Sequence, residues 1–242
     1  MCYCDCYHVP PILNSRMPDT DGNANGRSVR ALLTARPRRG RVSLAAIDPS
    51  ETHGVKRHQA DERMLADEEH IMSLQECLHA EAKRSVLIVL QGMDTSGKDG
   101  TVRYALRGLN PQGVRIVSFK APTPNERRHD FLWRIRRQLP RAGEIVIFNR
   151  SHYEDVLIAK VRELAPSKVI EARYGMINRL EAELVKHGTR LVKVFLHISE
   201  DEQRARTNLH CGPRGAELSR ADLNSRARRS SPRPVRAAPA EP

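Results

Sequence analysis

No run in this chain approaches the ~20 apolar residues needed to span a bilayer, and its start lacks the basic-then-apolar order of a secretory signal. These absences argue against a membrane protein and point to the cytoplasm. Also missing is the paired C-x2-C spacing of a zinc knuckle. The five cysteines are an odd number, and Cys2, Cys4 and Cys6 stand too close together for that ligand geometry. Acidic charge is scarce as well: 29 Asp and Glu face 41 Lys and Arg, a formal net charge of +12. A surface of that sign suits a polyanion, whether a phosphate chain, a nucleic acid or an anionic lipid face.

With 242 residues and 39% apolar content, the chain can hold one α/β domain provided that its polar ends stay outside the core. Residues 1–40 are rich in Pro, Gly, Asn and Arg without sustained periodicity, the composition of a disordered tail. From Gln59 the spacing of Met64, Glu68, Ile71, Leu74 and Leu78 predicts an amphipathic helix packed on a sheet. Strands are expected at Val86–Leu90, Val114–Phe119, Glu144–Phe148 and Arg190–Ile198, with helices over Asn125–Leu139 and Lys168–His187 between them. Alternation of this kind is the pattern of a doubly wound parallel sheet, whose ligands collect at the carboxyl ends of the strands. The segments Gly92–Lys98, Lys120 and Asn149–Asp155 all fall at such ends and should meet in one crevice.

The first of these segments is the most informative. An apolar, β-branched run ends abruptly in Gly92-Met93-Asp94-Thr95-Ser96-Gly97-Lys98-Asp99-Gly100. Gly92 and Gly97 let successive backbone N–H groups turn inward, and the helix that follows aims its positive end at an anion. Gly92, Thr95, Ser96, Gly97, Asp99 and Gly100 are therefore expected to cradle phosphate, with Lys98 supplying a mobile ammonium. The spacing meets the Walker A pattern, except that Asp99 stands where the magnesium-binding Ser or Thr would be. Asp94 lies too near phosphate for a bare carboxylate unless magnesium sits between them, so it is assigned to metal and to the acceptor.

At the end of the third strand a Walker B acid is replaced by Asn149, which can order a metal-bound water without adding charge. Arg150 is placed as a bidentate phosphate clamp. Glu154 or Asp155, one turn on, is the expected second carboxylate. On the helix expected at Asn125–Leu139, Arg127, Arg134 and Arg137 share a face and, with Lys120, form the expected track for a phosphate chain. His129 and His152 are expected to be structural hydrogen-bonders, and Trp133 and Tyr153 packing residues.

Taken in order, Gln91-Gly92-Met93-Asp94-Thr95-Ser96-Gly97-Lys98-Asp99-Gly100-Thr101, Phe119-Lys120-Ala121-Pro122-Thr123, His129-Asp130-Phe131-Leu132-Trp133-Arg134 and Phe148-Asn149-Arg150-Ser151-His152-Tyr153-Glu154-Asp155-Val156-Leu157 resemble the type-2 polyphosphate kinase family. The similarity spans 41–206. It implies an α/β P-loop kinase-like fold, three layers α/β/α around a parallel sheet, to which composition adds disordered N- and C-terminal tails. It further implies Mg2+, inorganic polyphosphate as donor, AMP, ADP or ATP as the nucleotide, and a homo-oligomer, with nucleic acid not the expected partner. The Asn149-Arg150-Ser151-His152-Tyr153-Glu154-Asp155 form of the last motif is similar to the branch that phosphorylates AMP as well as ADP, and the resemblance implies that Glu154 and Asp155 hold nucleotide and magnesium.

Beyond Arg206 the reading changes. The family's basic lid is not recognisable, and 207–242 is rich in Arg, Ser, Pro and Ala, the composition of a disordered basic tail and the kind of sequence a frameshift or truncation leaves. Without a lid, water should reach the transferring phosphoryl group and weaken transfer. Two other classes fit the same residues: an ATP-dependent small-molecule kinase, and a degenerate, non-catalytic polyphosphate or nucleic-acid binder. Polyphosphate failing to replace ATP would mark the former, and salt-steep binding unchanged by mutation of Asp94 the latter.

Overall fold

The computed structural model describes residues 42–210 together with 31 and 33–35. Nearly all of the expected N-terminal tail, and the C-terminal tail from residue 211, therefore lie outside the described residues. Four parallel strands make one sheet in the order β2-β3-β1-β4: β1 (Ser85–Gly92), β2 (Val114–Ser118), β3 (Ile145–Asn149) and β4 (Thr189–Leu196). The helices of this unit are α1 (Arg57–Glu81), α2 (Lys98–Ala105), α3 (Trp133–Arg136), α4 (Glu154–Val161) and α5 (Ser167–Lys186). Parallel strands need long crossovers, and these helices supply them.

Alternation along the central strands feeds both faces of the sheet. Leu87 and Val89 of β1 join Val146 and Phe148 of β3 and Leu191 of β4 in a core completed by Ile135, Val156, Ile177 and Leu180. Leu90, Ile145 and Ile147 point the other way, against Val102, Leu106 and Leu78. Helices thus cover both faces, giving the three-layer α/β/α architecture. Each such fully buried side chain contributes about 1.5–3 kcal/mol. Phe119 packs edge-on against Phe148, ring centroids 4.9 Å apart, at the site end of the sheet.

Strand and helix bounds fall within two residues of the sequence expectation, with three departures. First, Asn125–Leu139 is not one helix. A 3-10 turn at Glu126–Arg128 is followed by extended backbone at His129 and then by the single turn of α3. Local side-chain bonds outcompete the helix here: Glu126 accepts from Thr123 N, Thr123 Oγ1 from Glu126 N, and Asp130 Oδ1 from Leu132 N. Second, α1 turns the expected face inward, with Met64, Glu68 and Leu78 half-buried and Leu78 against the Leu90, Ile145 and Ile147 cluster, but polar contacts hold it there. Its only buried residue is Gln75, while Ile71 and Leu74 are 38% and 47% exposed. Polar anchors set this rotation: Gln75 exchanges both amide bonds with the Asn110 backbone at 2.8 Å, and Glu68 pairs with Arg107 at 2.8 Å. Third, the residues after β3 wind directly into α4, a helix not anticipated from the pattern.

A second unit begins at Ser199. Its helix α6 (Glu200–His210) starts with Ser199 Oγ accepting from Glu202 N and carries the i,i+4 pairs Glu200–Arg204 and Glu202–Arg206 on opposite faces. It continues through Thr207, where the tail was expected to begin. Among the described residues no helix is long and apolar enough to cross a membrane.

Candidate active site

The loop leaves β1 at Gly92, whose φ of +155° and crowded surroundings both demand glycine. A Cβ there would stand 2.6 Å from Ser96 Oγ and 2.8 Å from the Leu196 carbonyl oxygen. Gly97, at φ +97°, turns the chain into α2. Between them Thr95 adopts φ 64°, an uncommon conformation for a β-branched residue, with its hydroxyl donating to the Asp94 carbonyl at 2.6 Å. Such a backbone costs on the order of 1–3 kcal/mol and persists only where its surroundings over-determine it.

Lys98 is not the mobile ammonium expected from the sequence. It is buried, and Nζ donates to the carbonyls of Gly92 and Met93 at 2.9 and 2.8 Å and to Ser96 Oγ at 3.3 Å. The lysine laces the loop shut from inside and sets a fixed positive charge beneath it. Burial, reinforced by the Arg150 charge, pulls its pKa down, while Asp94, Glu154 and Asp99 oppose the shift. Gly100 continues the first turn of α2, whose N–H groups lack helical partners by construction.

The turn after β3 closes over this loop. Arg150, also in the left-handed region at φ 64°, is tethered by its N–H to the Leu90 carbonyl at 3.1 Å. Its guanidinium reaches Asp94 Oδ1 at 2.7 Å. Asn149 donates to Asp99 Oδ1 at 2.6 Å, so the residue in the Walker B position touches the residue in the Walker A metal position. Gln91 meets Ser151 Oγ at 2.8 Å; with its amide turned to satisfy both ends, it also donates to Glu154 Oε1 at 3.2 Å. Burial pushes the Glu154 carboxyl up, against the pull of Arg150 and Lys98. The loop and the Asn149–Asp155 segment therefore do meet in one crevice.

The other expected residues separate. Glu154 faces the loop, whereas Asp155 is committed to Arg134, its Oδ2 accepting at 3.1 Å. Arg134 is buried and also donates to the Lys120 carbonyl at 2.7 Å, so it braces the site from within and is no part of an exposed track. The Lys120 side chain is exposed, as are Arg127 and Arg137. Arg127 donates to the Pro122 carbonyl, and Arg137 lies over the Trp133 ring, whose centroid is 4.1 Å from that of His129. Because the helix that would align them is broken at His129, Arg127, Arg134 and Arg137 form no single stripe. Sequence reasoning overlooked Gln91 and Ser151, although both lie inside quoted motifs; a polar residue ending an otherwise apolar strand was the available signal.

A sequence profile described as Polyphosphate kinase 2 (PPK2) matches residues 54–230. The chain belongs to the polyphosphate kinase 2 family. The matched interval runs past Arg206, where the resemblance was expected to stop. Similar proteins include an AMP/ADP-polyphosphate phosphotransferase of Meiothermus ruber, 48% identical over 169 residues, covering 69% of this chain and 63% of the relative. An ADP-polyphosphate phosphotransferase of Rhodopseudomonas palustris is 42% identical over 172 residues, covering 65% and 60%. The chain thus spans a little over three fifths of the length of these relatives. The crystal structure of polyphosphate kinase 2 from Arthrobacter aurescens TC1 superposes with a TM-score of 0.69 at 42% identity, covering 76% of this chain and 68% of that one.

Among the described residues no three His, Cys, Asp or Glu side chains gather into a metal-binding cluster. The donor set nevertheless fits magnesium, which keeps several waters and is held by one or two carboxylates together with substrate phosphates. Asp94, 79% exposed at its side chain, and the half-buried Glu154 are the two carboxylates that could hold it.

Proposed function

We propose that this chain transfers a phosphoryl group between inorganic polyphosphate and AMP or ADP, with Mg2+ as cofactor, as a soluble protein of the cytoplasm. The observation that carries the reading is the Asp94–Arg150 contact across the crevice, directly over the loop that Lys98 holds together. Both side chains are largely in water, and a pair of that kind is worth about 0–1 kcal/mol. An incoming phosphate chain can therefore take Arg150 away from Asp94 at little cost.

Exchange of that partner gives each residue a role. Arg150 clamps phosphate, and Asp94, released from Arg150, orients the acceptor and a cation. Asp94 and Glu154 would hold the magnesium, which supplies positive charge to the transferring group. Lys98 and the amides of Gly92–Gly100 offer fixed positive potential to the donor end, and phosphoryl transfer asks the protein for little beyond alignment and charge neutralisation. No general base is required, because the attacking phosphate oxygen of the nucleotide already carries charge. Lys120, Arg127 and Arg137 remain available to a long donor as separate exposed cations, so its affinity should fall as salt rises. A homo-oligomer is part of the same reading.

The test is ADP and ATP formation from AMP, Mg2+ and long-chain polyphosphate, with Lys98→Ala and Asp94→Ala as controls. Product that vanishes in both variants supports the reading. Polyphosphate binding without product, unchanged in Asp94→Ala, would replace it with the non-catalytic binder. Turnover equal to that of a full-length relative would remove the expectation that the segment after Arg206 impairs transfer.

A further inference from the structure

Glu181 is 3% exposed on the inner face of α5, far in sequence from every motif that builds the site. A carboxylate so deep in the protein is tolerated only when its lone pairs are fully engaged. Tyr153 Oη donates to it at 2.7 Å, Lys193 Nζ at 2.8 Å and His152 Nε2 at 3.3 Å. Lys193 also donates to Tyr153 Oη at 3.2 Å, closing the cluster. Burial pushes the Glu181 carboxyl up, but the bonds from His152, Lys193 and Tyr153 and the Lys193 charge outweigh it and hold it down at about 2.

An apolar cluster could fill this space with no loss of stability. Directional bonds do something that apolar contacts cannot, which is to fix orientation, and the groups oriented here belong to the turn after β3. His152 and Tyr153 lie between Arg150 and Glu154, and Ser151, their neighbour, is bonded to Gln91 at the foot of the loop. Lys193 of β4 is paired with Val89 of β1, itself paired with Phe148 of β3. Its ammonium therefore reaches across the central strand to the turn. His152 Nδ1 is buried with no hydrogen-bond partner among the described residues, so Glu181 is the imidazole's polar anchor.

We propose that Glu181 and Lys193 are positioning residues: through His152 and Tyr153 they hold the 150–154 turn so that Arg150 meets Asp94 and Glu154 meets the Gly92–Lys98 loop. The functional half of this inference rests on the phosphotransferase reading above. Glu181→Gln in the full-length chain should lower kcat about tenfold or more, as loss of a group supporting a site residue does, while KM for polyphosphate stays within about threefold. In an Arg150→Ala background the same change should cost about twofold or less, because residues acting as a unit are not additive. Amide exchange of 150–154 should quicken in Glu181→Gln while the interior of β1 is unaffected. Tyr153→Phe, which removes one bond from the carboxylate and keeps the ring, should shift all three readouts in the same direction by less.

Equal losses in both backgrounds, or unchanged exchange at 150–154, would overturn the proposal and leave the cluster a purely structural one. If the wild-type chain forms no ADP, the phosphotransferase reading fails by itself. Exchange at 150–154 then still decides whether Glu181 holds the turn.

Discussion

Two carboxylate–cation contacts of nearly equal length flank the same turn and differ most in their access to water. Asp94–Arg150 is 2.7 Å long, with side chains 79% and 45% exposed; Glu181–Lys193 is 2.8 Å long, with side chains 4% and 17% exposed. In water such a pair is readily exchanged for another partner. Inside the protein, breaking it strands a charge, at a cost of about 3–5 kcal/mol. The exposed contact suits a group that must change partners during a reaction, and the buried one suits a group that must not move. Site and scaffold thus use the same chemistry at different depths.

That contrast is sharpest at Lys98, which combines burial with a place in the loop. Lys98→Ala should lower phosphotransfer about 1,000-fold, the loss expected when a preorganised positive group facing the transferring charge is removed, as read by ADP formation. Next in size is the pH response of the buried cluster. The folded pKa of Glu181, about 2 against the usual 4.5, lies below its unfolded value. Its contribution is therefore present above pH 4.5 and lost as pH falls through 2, a difference on the order of 3 kcal/mol. Urea denaturation between pH 2 and 7 should show this step in the wild type and not in Glu181→Gln.

Gly92→Ala should destabilise by about 1–3 kcal/mol, since the new methyl meets a backbone oxygen in a conformation that disfavours any Cβ; the denaturation midpoint reads the change. Asp94→Ala should alter stability by about 1 kcal/mol at most while still impairing phosphotransfer, so a large stability loss would show that the contact is structural after all. The smallest effect belongs to Glu154. Because burial raises its folded pKa, the wild type loses stability as pH rises from the unfolded value through the folded one, and charged Glu154 remains a burden above that. Glu154→Gln should therefore melt slightly higher at pH 7 and transfer phosphate less well, and a lower melting temperature would contradict this.

Much of the site was legible because its determinants are adjacent in the chain. The β1 run, the glycines framing the loop and Lys98 form one contiguous segment whose local geometry follows from steric and hydrogen-bonding rules. The Asn125–Leu139 helix was misread because periodicity counts apolar positions and ignores competition from Thr123, Glu126 and Asp130 side chains for the backbone. The anchoring of α1 through Gln75 went unread because polar residues carry little weight in an apolar pattern. The arginine stripe failed with the helix that was to align it.

Local sequence alone determined the phosphate-loop character of Gly92–Gly100, the alternation of strands and helices and the excess of positive charge, since each depends on near neighbours and residue chemistry. Only the tertiary structure decided that Lys98 points inward, that Asp155 belongs to Arg134 while Glu154 faces the loop, and that Glu181 and Lys193 grip the turn between Arg150 and Glu154. Those choices depend on depth from solvent and on contacts between segments many residues apart, which acquire meaning only when the sheet brings them within hydrogen-bonding distance.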